Sequence, residues 1–443
     1  MDLRDYLLDD ESMWRFIEDG HISFQLDASP SLHREVYRQV DQVFNAEGNP
    51  GNDILAKAPA LQQIFNHPQM QGVLSSLLGP EYIMHPHRHC HLNPPHSPGQ
   101  GTHQDSYEDD QNMRHHRTRW LMVFYYPQDV SADMGPTAIT PGTHFFTTSE
   151  GASQRTETPL RGAAGSVTVV QYDLWHRATV NDSEHKRYML KFLFCRMREP
   201  RRPAWNNRQS APPQKGGEKV GFGAHLWNWH RGVNAGPRQR EANGLGALRE
   251  GLNHADEAVR LEAAYQLGGL GTAGVPVLME ELQREAAQAL AGNLQRSHTN
   301  PSQLNALYGL STAGSAAVPA LVAALDESDW WMRAAAADAL GDIGLPDTRA
   351  VGKLGAALSD GEAWVRRNAA EALGIIGPAA SGQIGRLADL LDDPYSWVRH
   401  NAVSSLARID CLGAVPLLHR ALGDEEVYVR GNAAVALEHA DRL

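Results

Sequence analysis

The sequence predicts an α+β chain in two parts, an N-terminal domain of β-strands with flanking helices and then an all-α array of stacked repeats. Three observations carry this: an ordered set of polar residues on strand-like segments between His103 and Arg187, a break in composition between about Glu199 and Arg240, and an alanine- and leucine-rich pattern that repeats beyond it. At 443 residues the chain exceeds one ordinary domain and can bury two sizeable cores. The expected partition is a domain over residues 1–200, a tail and linker over 201–240, and repeats over 241–443.

Taken in order, Met13-Trp-Arg-Phe-Ile-Glu-Asp-Gly-His-Ile22 reads as a helix stopped at Gly20 and leading into a strand. Helical patterns around Ser31 to Phe44 and Ala58 to Leu78 would cover the outside of the β structure. Met84-His-Pro-His-Arg-His-Cys-His91 alternates, so His85, His87, His89 and His91 would share one face of a strand, although Pro86 argues against a regular central one. Two uses stay open for these histidines: a second metal site, or a cavity lining that hydrogen-bonds a ligand. His115-His116 reads as an ordinary loop pair.

His103-Gln104-Asp105 is followed after 73 positions by His176 and after 11 more by Arg187. In an extended segment residues i and i+2 point the same way, so His103 and Asp105 can reach one metal while Gln104 turns aside. Two neutral imidazoles and a carboxylate hold Fe(II) on one face of its octahedron and leave the opposite positions open. Gly165-Ser-Val-Thr-Val-Val-Gln-Tyr-Asp-Leu-Trp-His176 reads as a β-branched strand, a turn and a short segment presenting the histidine. Arg187 opens the next strand, Arg187-Tyr-Met-Leu-Lys-Phe-Leu-Phe194. Its guanidinium can grip a carboxylate through two parallel hydrogen bonds, the geometry a dicarboxylic co-substrate such as 2-oxoglutarate needs.

Thr102-His-Gln-Asp105, Met134-Gly-Pro-Thr-Ala-Ile-Thr-Pro-Gly-Thr-His144 and His176-Arg-Ala-Thr-Val-Asn-Asp-Ser-Glu-His-Lys-Arg187 together resemble the iron(II)/2-oxoglutarate dioxygenases of the phytanoyl-CoA hydroxylase family, over most of residues 10–200. The resemblance implies a double-stranded β-helix, a cupin-like jelly roll, with iron on His103, Asp105 and His176 and 2-oxoglutarate on Arg187. It further implies dioxygen as oxidant, succinate and carbon dioxide as co-products, and hydroxylation of an unactivated C–H bond. Asn181 and Ser183 stand where the family has Asn-x-Ser. Related halogenases carry a small residue at the carboxylate position, so Asp105 favours hydroxylation or another oxidation. Thr137 and Tyr125 are candidates for lining the co-substrate pocket, both falling on strands that border the site. Trp175 is expected to pack.

Beyond the break, Trp331-Met-Arg333, Trp364-Val-Arg366 and Trp397-Val-Arg399 recur at steps of 33 residues, and Val429-Arg430 follows 31 later. Val259-Arg260 belongs to the same frame, and the unit missing between Arg260 and Arg333 is expected within Val275 to Gly314, with a polar loop around Ser297 to Pro301. These units resemble HEAT-like repeats of the kind found in phycobilisome lyases. Each pairs an apolar helix with a second, small-residue helix, so neighbours must bury one another's faces and build a solenoid. The repeated arginine is expected to bond carbonyls or an acid of the adjacent repeat.

A net charge of −12 disfavours nucleic acid or anionic membranes as partners. Three separated cysteines, Cys90, Cys195 and Cys411, fit a reducing compartment, and no stretch is apolar enough to span a bilayer, so the expected location is cytoplasmic. The reading is a small-molecule dioxygenase whose repeats dock a partner or self-associate. A protein-modifying oxygenase whose solenoid captures a polypeptide, and a non-catalytic scaffold or sensor, are its alternatives.

Overall fold

The computed structural model describes residues 3–105, 115–213, 222–233, 244–291 and 304–443, which divide into two compact units.

The first unit is built on antiparallel sheets. Its strands are β1 (His21–Gln25), β2 (Tyr82–Asn93), β3 (Trp120–Tyr125), β4 (Thr137–Ile139), β5 (Thr158–Pro159), β6 (Ser166–Gln171), β7 (His176–Ala178) and β8 (Arg187–Arg196). They form a five-stranded sheet, β1-β6-β3-β8-β2, and a three-stranded sheet, β5-β4-β7. Apart from β4 with β5, the strands pair with partners that are not their neighbours in sequence, the jelly-roll habit implied above. β3 and β8 are buried along their whole length, which is why they read as near-continuous apolar runs.

Pro86 finds its place because β2 is an edge strand whose pairing with β8 slips between Met84 and Arg88. Helix α1 (Asp10–Asp19) starts on an Asp9 cap and stops at Gly20, whose left-handed φ of 73° turns the chain straight into β1. A Cβ at Gly20 would meet His144 at 2.3 Å, so glycine is required twice over. Helix α2 (Pro30–Glu47) covers the five-stranded sheet, with Tyr125 buried beneath it and hydrogen-bonded to His33 at 2.8 Å. The Ala58 to Leu78 pattern is two helices, Ala60–Phe65 and α3 (Pro68–Leu78), because Pro68 opens the second one.

Part of the expected linker packs on this unit. Trp205 donates through Nε1 to Asp10 at 2.7 Å, and Asn207 and the Arg208 amide bond the same carboxylate.

The second unit is the helical array. Its inner row comprises α4 (Glu257–Gly269), α5 (Asn305–Ala313), α6 (Trp330–Ile343), α7 (Ala363–Ile376), α8 (Ser396–Asp410) and α9 (Val427–Ala440), each stacked on the next. The unit missing its arginine falls at Val275–Ala291 plus α5, while Ser297 to Pro301 lies outside the described residues. Close stacking depends on small residues at one repeat position. A Cβ at Gly341 would stand 2.7 Å from the Ala372 Cα, and one at Gly374 would stand 2.9 Å from the Ser405 Cα.

The repeat arginines meet both expected partners at once. Arg333 forks onto Asp360 (2.7 and 2.9 Å), Arg366 onto Asp393 (2.7 and 3.1 Å) and Arg399 onto Asp424 (2.7 and 2.9 Å), each acid lying one repeat ahead. The Nη1 of Arg333 also ties the carbonyls of Glu327 and Ser328 in its own turn. Among the described residues no helix is long and apolar enough to cross a membrane.

His115 and His116 do lie in a loop, but not an ordinary one, for they belong to this second unit and both are buried. The His116 ring stacks on Tyr308 at 3.7 Å and lies near-parallel to Phe222 and Tyr265, with Nδ1 2.9 Å from the Tyr265 hydroxyl. His115 lies 3.9 Å from Asp338 and 3.8 Å from Asp342, one turn apart on α6.

Candidate metal centre

His103 and His176 are brought face to face by a single antiparallel bridge. The amide of each donates to the carbonyl of the other at 2.9 Å, and their rings lie 4.7 Å apart. Gln104 turns the other way, as expected, and donates to the Phe146 and Asp173 carbonyls, fastening the segment that carries both of its neighbours. The ligand atoms offered by His103, Asp105 and His176 all lie within 4.8 Å of one another, and this is the one such group among the described residues.

Each imidazole is aimed by its own backbone. His103 Nδ1 bonds the Gly101 carbonyl and His176 Nδ1 the Leu174 carbonyl, both at 2.9 Å and both two residues back. A carbonyl accepts only, so Nδ1 carries the proton and Nε2 keeps its lone pair for a metal. Burial disfavours the His176 cation and outweighs Asp105, so the pKa is lowered and the ring stays neutral, as a ligand must be. Burial pushes the Asp105 carboxyl up, but the Lys191 ammonium 2.7 Å away, His176 and His103 together hold it well below the usual range. The set fits a divalent cation: two neutral nitrogens, one anionic oxygen and no thiolate.

Arg187 is 1% exposed. Its Nε and Nη2 donate to the Gly135 carbonyl at 3.0 and 2.7 Å, whereas Nη1 is buried and has no hydrogen-bond partner among the described residues. Gly135 can present that carbonyl because it adopts φ 65°, and a Cβ there would meet Asn93 at 2.2 Å. The Asn-x-Ser pair is a clamp: Asn181 donates to the carbonyls of Asn93, Pro94 and His185, and Ser183 bonds the Asn181 side chain at 2.7 Å. It ties the end of β2 to the turn that enters β8, setting the Arg187 backbone.

Metal group and arginine open onto one cavity of about 250 Å³, also lined by His91, Asn93, Thr137 and Lys191. Thr137 is on its wall. Tyr125 is not, since it lies under α2, and the tyrosine beside the site is Tyr126, whose ring is 5.9 Å from the Arg187 Cζ. Strand alternation explains the one-residue error. Phe124 faces in, 5.7 Å from the His176 ring, so Tyr125 must face out and Tyr126 in.

Of the four histidines, His91 lines the cavity and the His89 ring lies 4.8 Å from its ring, tilted, while His85 sits within the β2 irregularity, edge-on to Trp120. Burial and then Lys191 depress His91 to about 2 and His87 to about 4, so neither ring carries charge near neutrality. Trp175 packs, donating to the Phe146 carbonyl at 3.0 Å. Lys191 escaped the sequence reading. Its signal was a lone lysine in an apolar strand, four residues and therefore one face on from Arg187.

Fold and site together define a class: a cupin-like β domain that carries a two-histidine, one-carboxylate group, followed by a helical repeat array. Residues 29–189 match the family model for phytanoyl-CoA dioxygenase (PhyH). Residues 280–351, 318–394 and 384–441 match HEAT repeats, and 259–284 match the PBS lyase HEAT-like repeat. The chain therefore carries a PhyH domain over residues 29–189, followed by C-terminal HEAT repeats. Among solved structures it is similar to the non-haem alpha-ketoglutarate-dependent epimerase SnoN from nogalamycin biosynthesis, at 14% identity over 46% of this chain and 91% of that one, with a TM-score of 0.37. The corresponding figures are 16%, 48%, 95% and 0.37 for the carbocyclase SnoK from the same biosynthesis, and 18%, 51%, 93% and 0.35 for the non-haem monooxygenase ThoJ with nickel. No curated protein sequence matches it.

Proposed function

We propose that this protein hydroxylates an unactivated C–H bond of a small organic substrate, with Fe(II) held by His103, Asp105 and His176 and 2-oxoglutarate consumed to succinate and carbon dioxide. One observation carries the proposal: a buried arginine with an unused Nη1 donor opens on the same cavity as three convergent metal-ligand atoms. Iron with 2-oxoglutarate and dioxygen supplies the oxidant, and the protein supplies position. Arg187, fixed by Gly135, directs its free donor at the distal carboxylate of the co-substrate. Thr137, on the same wall, borders that co-substrate, and the neutral histidines of β2 offer hydrogen bonds without adding charge. The HEAT repeats serve interaction or assembly.

Anaerobic titration of the apoprotein with Fe(II) and 2-oxoglutarate tests the proposal through the weak visible charge-transfer band of the chelate. A saturable band is expected in the wild type, lost in Asp105→Ala and weakened in Arg187→Ala. A folded, iron-loaded protein with no band would sink the reading. Succinate release stimulated by small molecules would support hydroxylation of such a substrate, whereas stimulation by polypeptides alone would favour a protein-modifying oxygenase.

A further inference from the structure

We propose that Lys191 is a positioning residue for the metal centre, holding one oxygen of Asp105 so that the carboxylate offers the metal the other oxygen alone. The proposal rests on the reading that His103, Asp105 and His176 bind the metal. The two oxygens of Asp105 already have different neighbours. Oδ2 accepts from the Lys191 ammonium at 2.7 Å, while Oδ1 lies 4.0 Å from His176 Nε2, on the side where the ligand atoms converge. Both side chains are buried, Lys191 to 3% exposure and Asp105 to 10%. For Asp105 to chelate through both oxygens it would have to turn Oδ2 away from the ammonium and give up that charge-assisted hydrogen bond.

The consequence concerns the number of open positions. Two imidazoles and one carboxylate oxygen would leave a divalent ion open to its co-substrates, and a second Asp105 oxygen on the ion would take up some of that room. Stability does not account for Lys191. A buried ion pair gains little over apolar residues of the same size, and the rest of the inward face of β8 would accept one. Nor does the co-substrate anchor need it, because Arg187 begins the same strand face and has its own free donor.

Co(II), whose visible spectrum reports coordination number, is the probe, titrated into full-length, tag-free apoprotein before and after adding 2-oxoglutarate. Lys191→Met is expected to weaken Co(II) binding by about 10- to 100-fold, as loss of a partner to a metal ligand does. It should also change the band intensities and weaken 2-oxoglutarate binding to the Co(II) form, while Lys191→Arg restores the wild-type spectrum. If Lys191→Met shows wild-type affinity and spectrum while Asp105→Ala loses Co(II), the role assigned to Lys191 is wrong and the metal site stands. A variant that weakens 2-oxoglutarate without altering the metal spectrum would make Lys191 a co-substrate ligand and overturns the proposal too. A wild type that binds Co(II) no better than Asp105→Ala removes the metal reading and this proposal with it. Circular dichroism checks folding, and Lys191→Gln replaces the methionine variant in the same titration if that one does not fold.

Discussion

Arg187 in the sheet unit and Arg366 in the repeat unit are both largely buried, and they use their donors differently. Arg366 directs Nε and Nη2 at Asp393 and Nη1 at the Asp360 and Gly361 carbonyls, so each nitrogen has a partner. Arg187 gives Nε and Nη2 to one carbonyl and leaves Nη1 unpaired. A saturated guanidinium is a fastener between repeats. A buried one with a spare donor costs stability unless something arrives to accept from it. The difference, more than burial, sets the two arginines apart, and it follows from what surrounds each: a turn lined with acids and carbonyls, or a cavity.

Exchanging each arginine for alanine gives the largest effect and can break the comparison outright. Arg187→Ala is expected to raise the Kd for 2-oxoglutarate about 100-fold, roughly 3 kcal/mol for a lost buried charge pair, with a modest change in melting. Arg366→Ala should leave 2-oxoglutarate binding alone and lower the melting point of the repeats by several degrees, because Asp393 is left buried and unpaired at a cost of about 3 kcal/mol. Calorimetry with and without 2-oxoglutarate reads both, and an Arg366→Ala protein that loses co-substrate affinity would erase the distinction.

His116→Ala sharpens it from the other side. Removing a ring stacked on Tyr308 and bonded to Tyr265 should cost about 1–3 kcal/mol and speed hydrogen exchange in α4 and α5. Unchanged exchange there would mean that the repeats stack without that ring.

The smallest effect is a pH dependence from His87. Burial, then Lys191, lowers it to about 4, against about 6.5 unfolded. The unfolded chain therefore binds the proton first on acidification, so stability present above pH 6.5 falls as pH drops toward 4, by on the order of 2 kcal/mol. The melting point of wild type minus that of His87→Gln should shrink across that window, and a constant difference would place the histidine outside the linkage.

How much was legible in the sequence follows the same division. Short-range rules located the helix stop at Gly20, the strand opened by Arg187 and the 33-residue repeat, because turn chemistry and periodicity are local properties of a chain. Spacing with alternation also named His103, Asp105 and His176 as one group, since a carboxylate two residues from a histidine on extended backbone has little choice of direction. Alternation was equally decisive where it was misapplied, for Tyr125 and Tyr126 differ only in which side of β3 each faces.

The chain's own pattern thus determined the two-part architecture, the pairing of His103 with Asp105 on one side of the chain and the interlocking arginines, all of which rest on residues close in sequence or repeated at a fixed step. Only the tertiary structure decided that Lys191 meets Asp105, that Gly135 pins Arg187, and that His115 and His116 belong to the repeat unit. Those pairings join residues 86, 52 and 149 or more positions apart, and no local rule of sterics or periodicity reaches across such distances. Packing alone selects them, by closing the chain around groups that cannot be left buried without a partner.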